Sequence, residues 1–244
     1  MMPTLQDLYA VTEATWPPAG RTEQGSVILR DGAGGGKRVS AATVAEGWTD
    51  ADLAAAEEAM TLRGKTPLFM IHPGEDALDT ALAARGYKVI DPVNIWLCPL
   101  SQLTETPIPR VTAFAIWEPL AIMREIWARG GIGPERIAVM ERAQGLKTGL
   151  FGRTDDKSAG TGYCALHTGI AMVHALEILK EHRSKGLGKW MMRCAAFWAQ
   201  EQGGTHMAVL CTQANTGANG LYASLGMGVV GQYHYRIKAE DMQK

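Results

Sequence analysis

Apolar positions recur along the chain with two periods, and the switch from one to the other marks most of its elements. Spacing of three and four residues, the mark of a helix with one buried face, groups Leu53, Ala56 and Met60; Leu120, Met123 and Trp127; Leu187, Trp190, Met191, Cys194, Phe197 and Trp198; and Ala218, Leu221, Tyr222 and Leu225. Local signals agree: Thr49 or Asp50 can cap the first of these, Pro119 stands at the favoured first position of the second, and Gly203-Gly204 ends the third. Short apolar or β-branched runs predict strands over 67–71, 110–116, 147–153, 160–167 and 171–180, the third and fourth joined by the polar turn 154–158. Residues 26–30 and 37–44 predict a hairpin around Asp31-Gly32-Ala33-Gly34-Gly35-Gly36. A first helix is expected to end at Trp16-Pro17-Pro18, another runs over 75–85 and stops at Gly86, and a short one begins near Pro134. Residues 100–109 carry two prolines and no period, and read as a linker. Strands alternating with helices predict an α/β chain.

At 244 residues the chain is long enough for one large domain or two smaller ones. A net charge of −1, with both signs mixed throughout, argues against nucleic acid or a membrane surface as the main partner. Cys98, Cys164, Cys194 and Cys211 are widely spaced within apolar segments and read as buried free thiols of a reducing compartment. No basic run followed by an apolar stretch opens the chain and no run is long enough to span a bilayer, so a soluble, cytoplasmic protein is expected. Gly32 to Lys37 has the wrong spacing for a phosphate-binding P-loop, with Arg38 where Ser or Thr is needed.

The two ends of the chain repeat one another. Leu68-Phe69-Met70 aligns with Ala208-Val209-Leu210, Gly86 with Gly226, and Asn94-Ile95-Trp96-Leu97 with His234-Tyr235-Arg236-Ile237, all at one offset (226 − 86 = 140). The identities are few, but the order of strand, helix, glycine and strand is kept without a gap, which suggests a duplication.

The chemistry gathers at His182-Arg183-Ser184-Lys185-Gly186-Leu187-Gly188-Lys189, between a predicted strand and a predicted helix. Two glycines let the backbone approach a ligand, the helix N-terminus offers free N–H groups, and the cations Arg183, Lys185 and Lys189 stand beside them, so an anionic phosphate is the natural guest. This Arg-x-x-Gly-x-Gly run resembles the acyl-CoA pyrophosphate loop of the GNAT N-acetyltransferase superfamily. Downstream, Asn215 to Met227 is similar to that superfamily's Asn-x-x-Ala-x-x-Leu-Tyr-x-x-Leu-Gly pattern. The resemblance covers residues from about 108 to the C-terminus.

The resemblance implies the acyl-CoA N-acyltransferase fold, a mixed, mostly antiparallel twisted sheet flanked by helices. It divides the chain into two GNAT-like halves, a degenerate domain over 1–105 and the N-acetyltransferase domain over 106–244. The first half lacks the CoA loop: it carries Ala45-Glu46-Gly47-Trp48 there, with Leu82 opposite Tyr222 and Glu75 opposite Asn215. By the same resemblance acetyl-CoA is the co-substrate and no metal is used. The loop residues Arg183, Ser184, Lys185, Gly186, Leu187, Gly188 and Lys189 hold the diphosphate. The backbone around Ile178, Leu179 and Lys180 pairs with the pantetheine arm and polarises the acetyl carbonyl, although relatives often carry proline where Lys180 stands.

Asn215 would bond the cofactor arm, and is also a natural helix cap. Tyr222 would protonate the leaving thiolate; its other reading is a packed member of its helix stripe. His174, nine residues before Arg183, resembles an active-site histidine of some relatives and is the candidate base, though a lone strand histidine is more often structural. Simple alternation puts Glu177 on the opposite face from it. His167, His182, His206 and His234 show no metal-ligand spacing. The expected activity is acetyl transfer to an amine by direct attack, the acceptor being a small molecule or a peptide. Residues 116–142 and 154–158 would select it, and a homodimer stays open. The alternative is a non-catalytic CoA-binding or interaction module with the same fold.

Overall fold

The Thr4 and Thr49 hydroxyls each accept a hydrogen bond from the N–H three residues on, while the Asp7 and Asp52 carboxylates each accept one from the threonine N–H, so both helices open on a reciprocal capping box. The computed structural model describes residues 2–238. Among them the chain runs α1 (Leu5–Thr15), β1 (Gly20–Gln24), β2 (Val27–Asp31), β3 (Thr43–Val44), α2 (Asp50–Leu62), β4 (Leu68–Ile71), α3 (Asp76–Ala84) and β5 (Tyr87–Pro99). It continues through α4 (Leu100–Thr104), β6 (Ala113–Ile116), α5 (Ala121–Arg129), α6 (Pro134–Arg142), β7 (Lys147–Thr154), β8 (Lys157–His167) and β9 (Ile170–Ile178). Last come α7 (Leu187–Glu201), β10 (His206–Thr212), α8 (Thr216–Ser224) and β11 (Gly228–Lys238). No described helix is long and apolar enough to cross a membrane.

The chain divides into two compact units, and the division is not one cut in the sequence. One unit takes the chain up to Pro17, Ile95–Cys211 and Asn215–Val230; the other takes Pro18–Asn94, Thr212–Ala214 and the chain from Gly231. Helix α1 therefore belongs with the later part of the chain, and β5 and β11 each begin in one unit and end in the other.

In the first unit the strands are ordered β5-β10-β9-β8-β7-β6. The pairs among β6, β7, β8 and β9 are antiparallel, and β10 lies parallel to β9. Helix α7 packs its apolar stripe, including Leu187, Met191 and Cys194, with Leu150, Cys164 and Val173 of the sheet. Gly152 and Gly160 make this close approach workable, since a Cβ on either would meet Met191 Sδ at 2.6 and 2.8 Å. Helices α1 and α5 also pack on β8 and β9, with Leu8, Val11, Met123 and Trp127 fully buried. Cys98, Cys164, Cys194 and Cys211 are free and buried. Burial pushes the Cys98 and Cys194 thiols up to about 12, and Cys164 further still, so these three stay protonated.

In the second unit β1, β2 and β3 form an antiparallel sheet covered by α2 through Val27, Leu29, Leu53, Ala56 and Met60. A second group is ordered β4-β11-β5, and a single parallel bridge, Ala42 to Phe69, precedes β3. Asp79 of α3 accepts from Arg236 Nε and Nη2 at 2.7 and 2.8 Å and lies 2.7 Å from His234 Nε2. Those hydrogen bonds, Arg236 first, hold its carboxyl at about 2.

Three expectations need correction. The hairpin's second arm is a turn of 3-10 helix over Lys37–Val39 followed by the two-residue β3, with Val39 buried between half-buried Arg38 and Ser40. Strand β1, which pairs with β2 along its whole length, was not expected, since its residues Gly20 to Glu23 are all exposed and give no apolar signal. The linker contains α4, whose Leu100 and Leu103 are buried in the core shared with α7.

Candidate active site

The site is made by two strands that part. The parallel ladder of β9 and β10 runs from Ile170 and His206 to Val173 and Val209, while β9 continues to Ile178. At the same point the β8–β9 register slips: Tyr163 faces His174 and Thr161 faces Glu177, three residues on β9 against two on β8. Ala175 sits in the slip at φ 50°. This is a β-bulge, which bends the strand and ends regular pairing. Ala175's carbonyl accepts from Trp127 Nε1 at 2.8 Å, fastening the bulge to α5.

The bulge reverses one expectation. Directly opposed residues share a face, and Thr161 and Tyr163 lie two apart, so Glu177 and His174 are on the same face of β9. Alternation failed because it counts the bulge's extra residue as a regular step. The Glu177 side chain reaches the end of α5, where a Cβ on Gly130 would meet its Cδ at 2.6 Å, and it accepts from Arg183 Nη2 at 2.9 Å. Thr161, facing it, is fully buried, and its hydroxyl has no hydrogen-bond partner among the described residues.

His174 lies deeper. It is buried at 4% exposure, with Nε2 2.8 Å from Thr15 Oγ1 and its ring stacked on Trp16 at 4.9 Å. Both partners belong to the end of α1 and the residue after it, so the N-terminal helix roofs this histidine.

Beyond β9 the backbone is largely allocated. Leu179 N–H donates to Ala159 O at 2.9 Å, and Ile178 O accepts from Arg183 Nε at 2.9 Å. Successive N–H groups of a strand point to opposite edges, so the Ile178 N–H is aimed at the edge from which β10 has departed. Lys180 begins one turn of 3-10 helix, Ser184 takes φ 61°, and Gly186 takes φ 83° as the N-cap of α7. No side chain caps α7, so its first N–H groups are offered to a ligand. Leu187 and Gly188 are buried; a Cβ on Gly188 would meet Leu221 Cδ2 at 2.9 Å and Ile178 Cδ1 at 3.3 Å. That glycine therefore serves the approach of α8 and β9 to α7.

The loop's cations are mostly partnered. Arg183 pairs with Glu177 and Lys185 Nζ with Asp155 Oδ2 at 2.8 Å, which, chiefly through that hydrogen bond, holds the Asp155 carboxyl below its ordinary range. Lys180 and Lys189 are exposed and have no ion pair among the described residues. Buried His182, missed as a site residue because nothing in its spacing marks it, has an Nδ1 with no hydrogen-bond partner among the described residues.

Asn215 caps α8, its Oδ1 accepting from Ala218 N at 3.1 Å. Tyr222, about two turns further on, is 6% exposed, with its ring 6.1 Å from that of Trp96. Leu221 beside it touches the Gly188 position, so α8, the α7 N-terminus and the end of β9 meet. Among the described residues no group of three or more His, Cys, Asp or Glu could hold a metal ion.

Residues 119–227 match the acetyltransferase (GNAT) family. The chain is 26% identical over 253 residues to an uncharacterized N-acetyltransferase, YobR, of Bacillus subtilis (strain 168), with 97% of this chain and 100% of that one covered. Among solved structures it is similar to a GCN5-related N-acetyltransferase from Kribbella flavida, with TM-score 0.69, 17% identity, and 98% and 97% of the two chains covered. It is also similar to a tandem GNAT protein from the clavulanic acid biosynthesis pathway, with TM-score 0.62, 14% identity, and 96% and 87% covered. These likenesses show the fold expected from sequence, a mixed, mostly antiparallel sheet with flanking helices. The family match and the curated relative support N-acetyltransferase function, a form of acyl transfer. The parted strands and glycine turn lie within residues 119–227, the stretch that matches the GNAT acetyltransferase family.

Proposed function

We propose that the protein transfers the acetyl group of acetyl-CoA directly to an amine of a small molecule or peptide. The observation that carries this reading is the parting of β9 and β10 beyond Val173 and Val209, directly before a glycine turn and an uncapped helix N-terminus. The residues fit an extended thioester with a diphosphate. A strand edge left open beside Ile178 offers sheet-like pairing, Gly186 turns the chain toward the first N–H groups of α7, and Lys180, Arg183, Lys185 and Lys189 supply positive charge. His182 Nδ1 is a buried polar atom awaiting a partner there.

In this reading the Ile178 N–H is the donor for the acetyl oxygen, since the Leu179 N–H is spent on Ala159. Glu177 takes the proton from the attacking amine, and Arg183 positions its carboxylate. Tyr222 gives a proton to the departing thiolate. Asn215 presents α8 to the cofactor arm. His174, bonded to Thr15 beneath Trp16, serves to seat α1 on the sheet. Three cysteines held protonated by burial are consistent with direct attack, without an acyl-cysteine.

The half of the chain over residues 1–105, we infer, is a degenerate copy of the half over 106–244. Helix α3 (Asp76–Ala84) and α8 (Thr216–Ser224) coincide residue for residue at the 140 offset (76 + 140 = 216; 84 + 140 = 224). Both copies run through antiparallel strands, helix, parallel strand, helix and long strand in the same order.

The test is thiol release from acetyl-CoA against a panel of small amines, amino acids and peptides, with acetyl-CoA binding measured by calorimetry. Amine-dependent release supports the enzyme. Binding without release by any amine favours the non-catalytic module, and absence of binding overturns the site.

A further inference from the structure

Within the first unit, one row of side chains crosses the sheet from its edge to the candidate site. Phe114 of β6 opposes Phe151 of β7, Phe151 opposes Thr161 of β8, and Thr161 opposes Glu177 of β9. Directly opposed residues share a face, so all four look to the same side. The adjacent row, Gly152, Gly160 and Ile178, looks to the other side, where Met191 of α7 closes on the two glycines. A diphosphate at the start of α7 therefore lies on the side away from Glu177, and a second substrate can meet the thioester from the Glu177 face.

The chemistry changes along this row. Its inner end is the Glu177 carboxylate, 18% exposed and held by Arg183 Nη2 at 2.9 Å. Its outer end is aromatic. The Phe114 and Phe151 rings are stacked with centroids 6.3 Å apart and an interplanar angle of 28°. Phe114, on the terminal strand of the sheet, is 36% exposed, Phe151 is half-buried, and neither belongs to the core packed on α7. Thr161, between the ends, is fully buried and brings no charge. Strands lie about 4.8 Å apart, which puts Phe151 about 10 Å and Phe114 about 14 Å from Glu177 across the sheet. Both phenylalanines fall outside residues 116–142 and 154–158, where sequence alone expects the acceptor to be selected.

The geometry points to an arylalkyl amine as the acceptor, its nitrogen at Glu177 and its ring laid on Phe151 against Phe114. The inference rests on the reading of Glu177 as the group that takes the proton of the amine. The nitrogen bonds the acetyl carbon, its proton passes to Glu177, and the thioester C–S bond breaks to give an arylalkyl acetamide and CoA thiol. A third ring extends an offset stack that is already partly exposed to water. A short polar amine reaches only the carboxylate and gains nothing from the rings.

The experiment compares phenylbutylamine with aminobutanol, which share the primary amine and the butyl chain, by kcat/KM for thiol release from acetyl-CoA with the full chain. Phenylbutylamine should be preferred at least about tenfold. Phe151→Ala should remove most of that preference, and Phe114→Ala, at an exposed edge position, should lower it in the same direction. The ratio is taken within each variant, so it does not depend on how much of that variant folds. A ratio near unity in the parent, or one that both variants leave in place, overturns the inference, while amine-dependent release still upholds the acetyltransferase. If no amine of a wider panel releases thiol, calorimetry decides: phenylbutylamine bound by the parent and weakened by Phe151→Ala keeps the ring site, and absence of binding removes it. A dimer in light scattering that Phe114→Ala dissolves, with the ratio unmoved, gives the rings to a second copy of the chain and also overturns the inference.

Discussion

Gly186 and Gly188 lie two residues apart at the start of α7, and their surroundings separate what each contributes. Gly186 holds φ 83° with nothing within 4 Å of a would-be Cβ, so Gly186→Ala meets a backbone cost and no clash. Left-handed geometry costs a non-glycine residue about 1–2 kcal/mol. Gly188→Ala instead places a methyl 2.9 Å from Leu221 Cδ2 and 3.3 Å from Ile178 Cδ1. Overpacking of that kind costs about 1–3 kcal/mol, and the better helix propensity of alanine returns about 0.5–1, leaving a net loss of about 1–2 kcal/mol. For a chain of this size each kcal/mol lowers Tm by about 2–4 °C, so both variants should melt about 2–8 °C below the parent.

Affinity then distinguishes them. Relaxing the Gly186 turn redirects the N–H groups that would face a diphosphate, and acetyl-CoA should bind at least about tenfold more weakly by calorimetry. The Gly188 methyl points into packing and should change affinity by no more than about twofold. Sequence alone suggests that bulk at Gly188 would crowd the diphosphate. Loss of affinity in Gly188→Ala with an unchanged Tm would restore that view and refute the packing argument.

Tyr222→Phe should lower kcat more than it weakens acetyl-CoA, because only the proton donor is removed; a fully active variant excludes the acid role. Glu177→Gln should lower kcat by about 10²–10⁴ with an accepted amine, whereas His174→Phe should lower stability more than turnover; the reverse pattern in paired rate and melting measurements makes His174 the base. Asp79→Asn tests the acid limit of the second unit. The folded carboxyl is held at about 2, below its ordinary 3.8, so its contribution is complete above pH 3.8 and fades as pH falls toward 2. Discounted for its 28% exposure it is worth about 2 kcal/mol, which urea unfolding should find missing in the variant at pH 6 and absent from both proteins near pH 2. A difference independent of pH would mean that the ion pair with Arg236 is not its source.

Much of this protein was legible because its signals are local. The stripe from Leu187 to Trp198, the glycine turn before it and the Asn215 cap each depend on residues within a turn or two of one another, and each forms where the sequence places it. The acyltransferase resemblance rests on such runs. Local patterns were silent where burial was small or the element short, as in exposed β1 and the five-residue α4.

Tertiary structure decided the rest. The bulge at Ala175 has no sequence mark, since alanine gives no hint of φ 50°; the carbonyl there is fastened by Trp127, 48 residues away, and the slip brings Glu177 onto the face of His174. His174 could not be assigned from its own strand because its partner Thr15 lies 159 residues earlier. Periodicity fixes which residues turn inward along one element, whereas the opening between β9 and β10 and the roof over His174 depend on distant segments meeting, which no local spacing encodes.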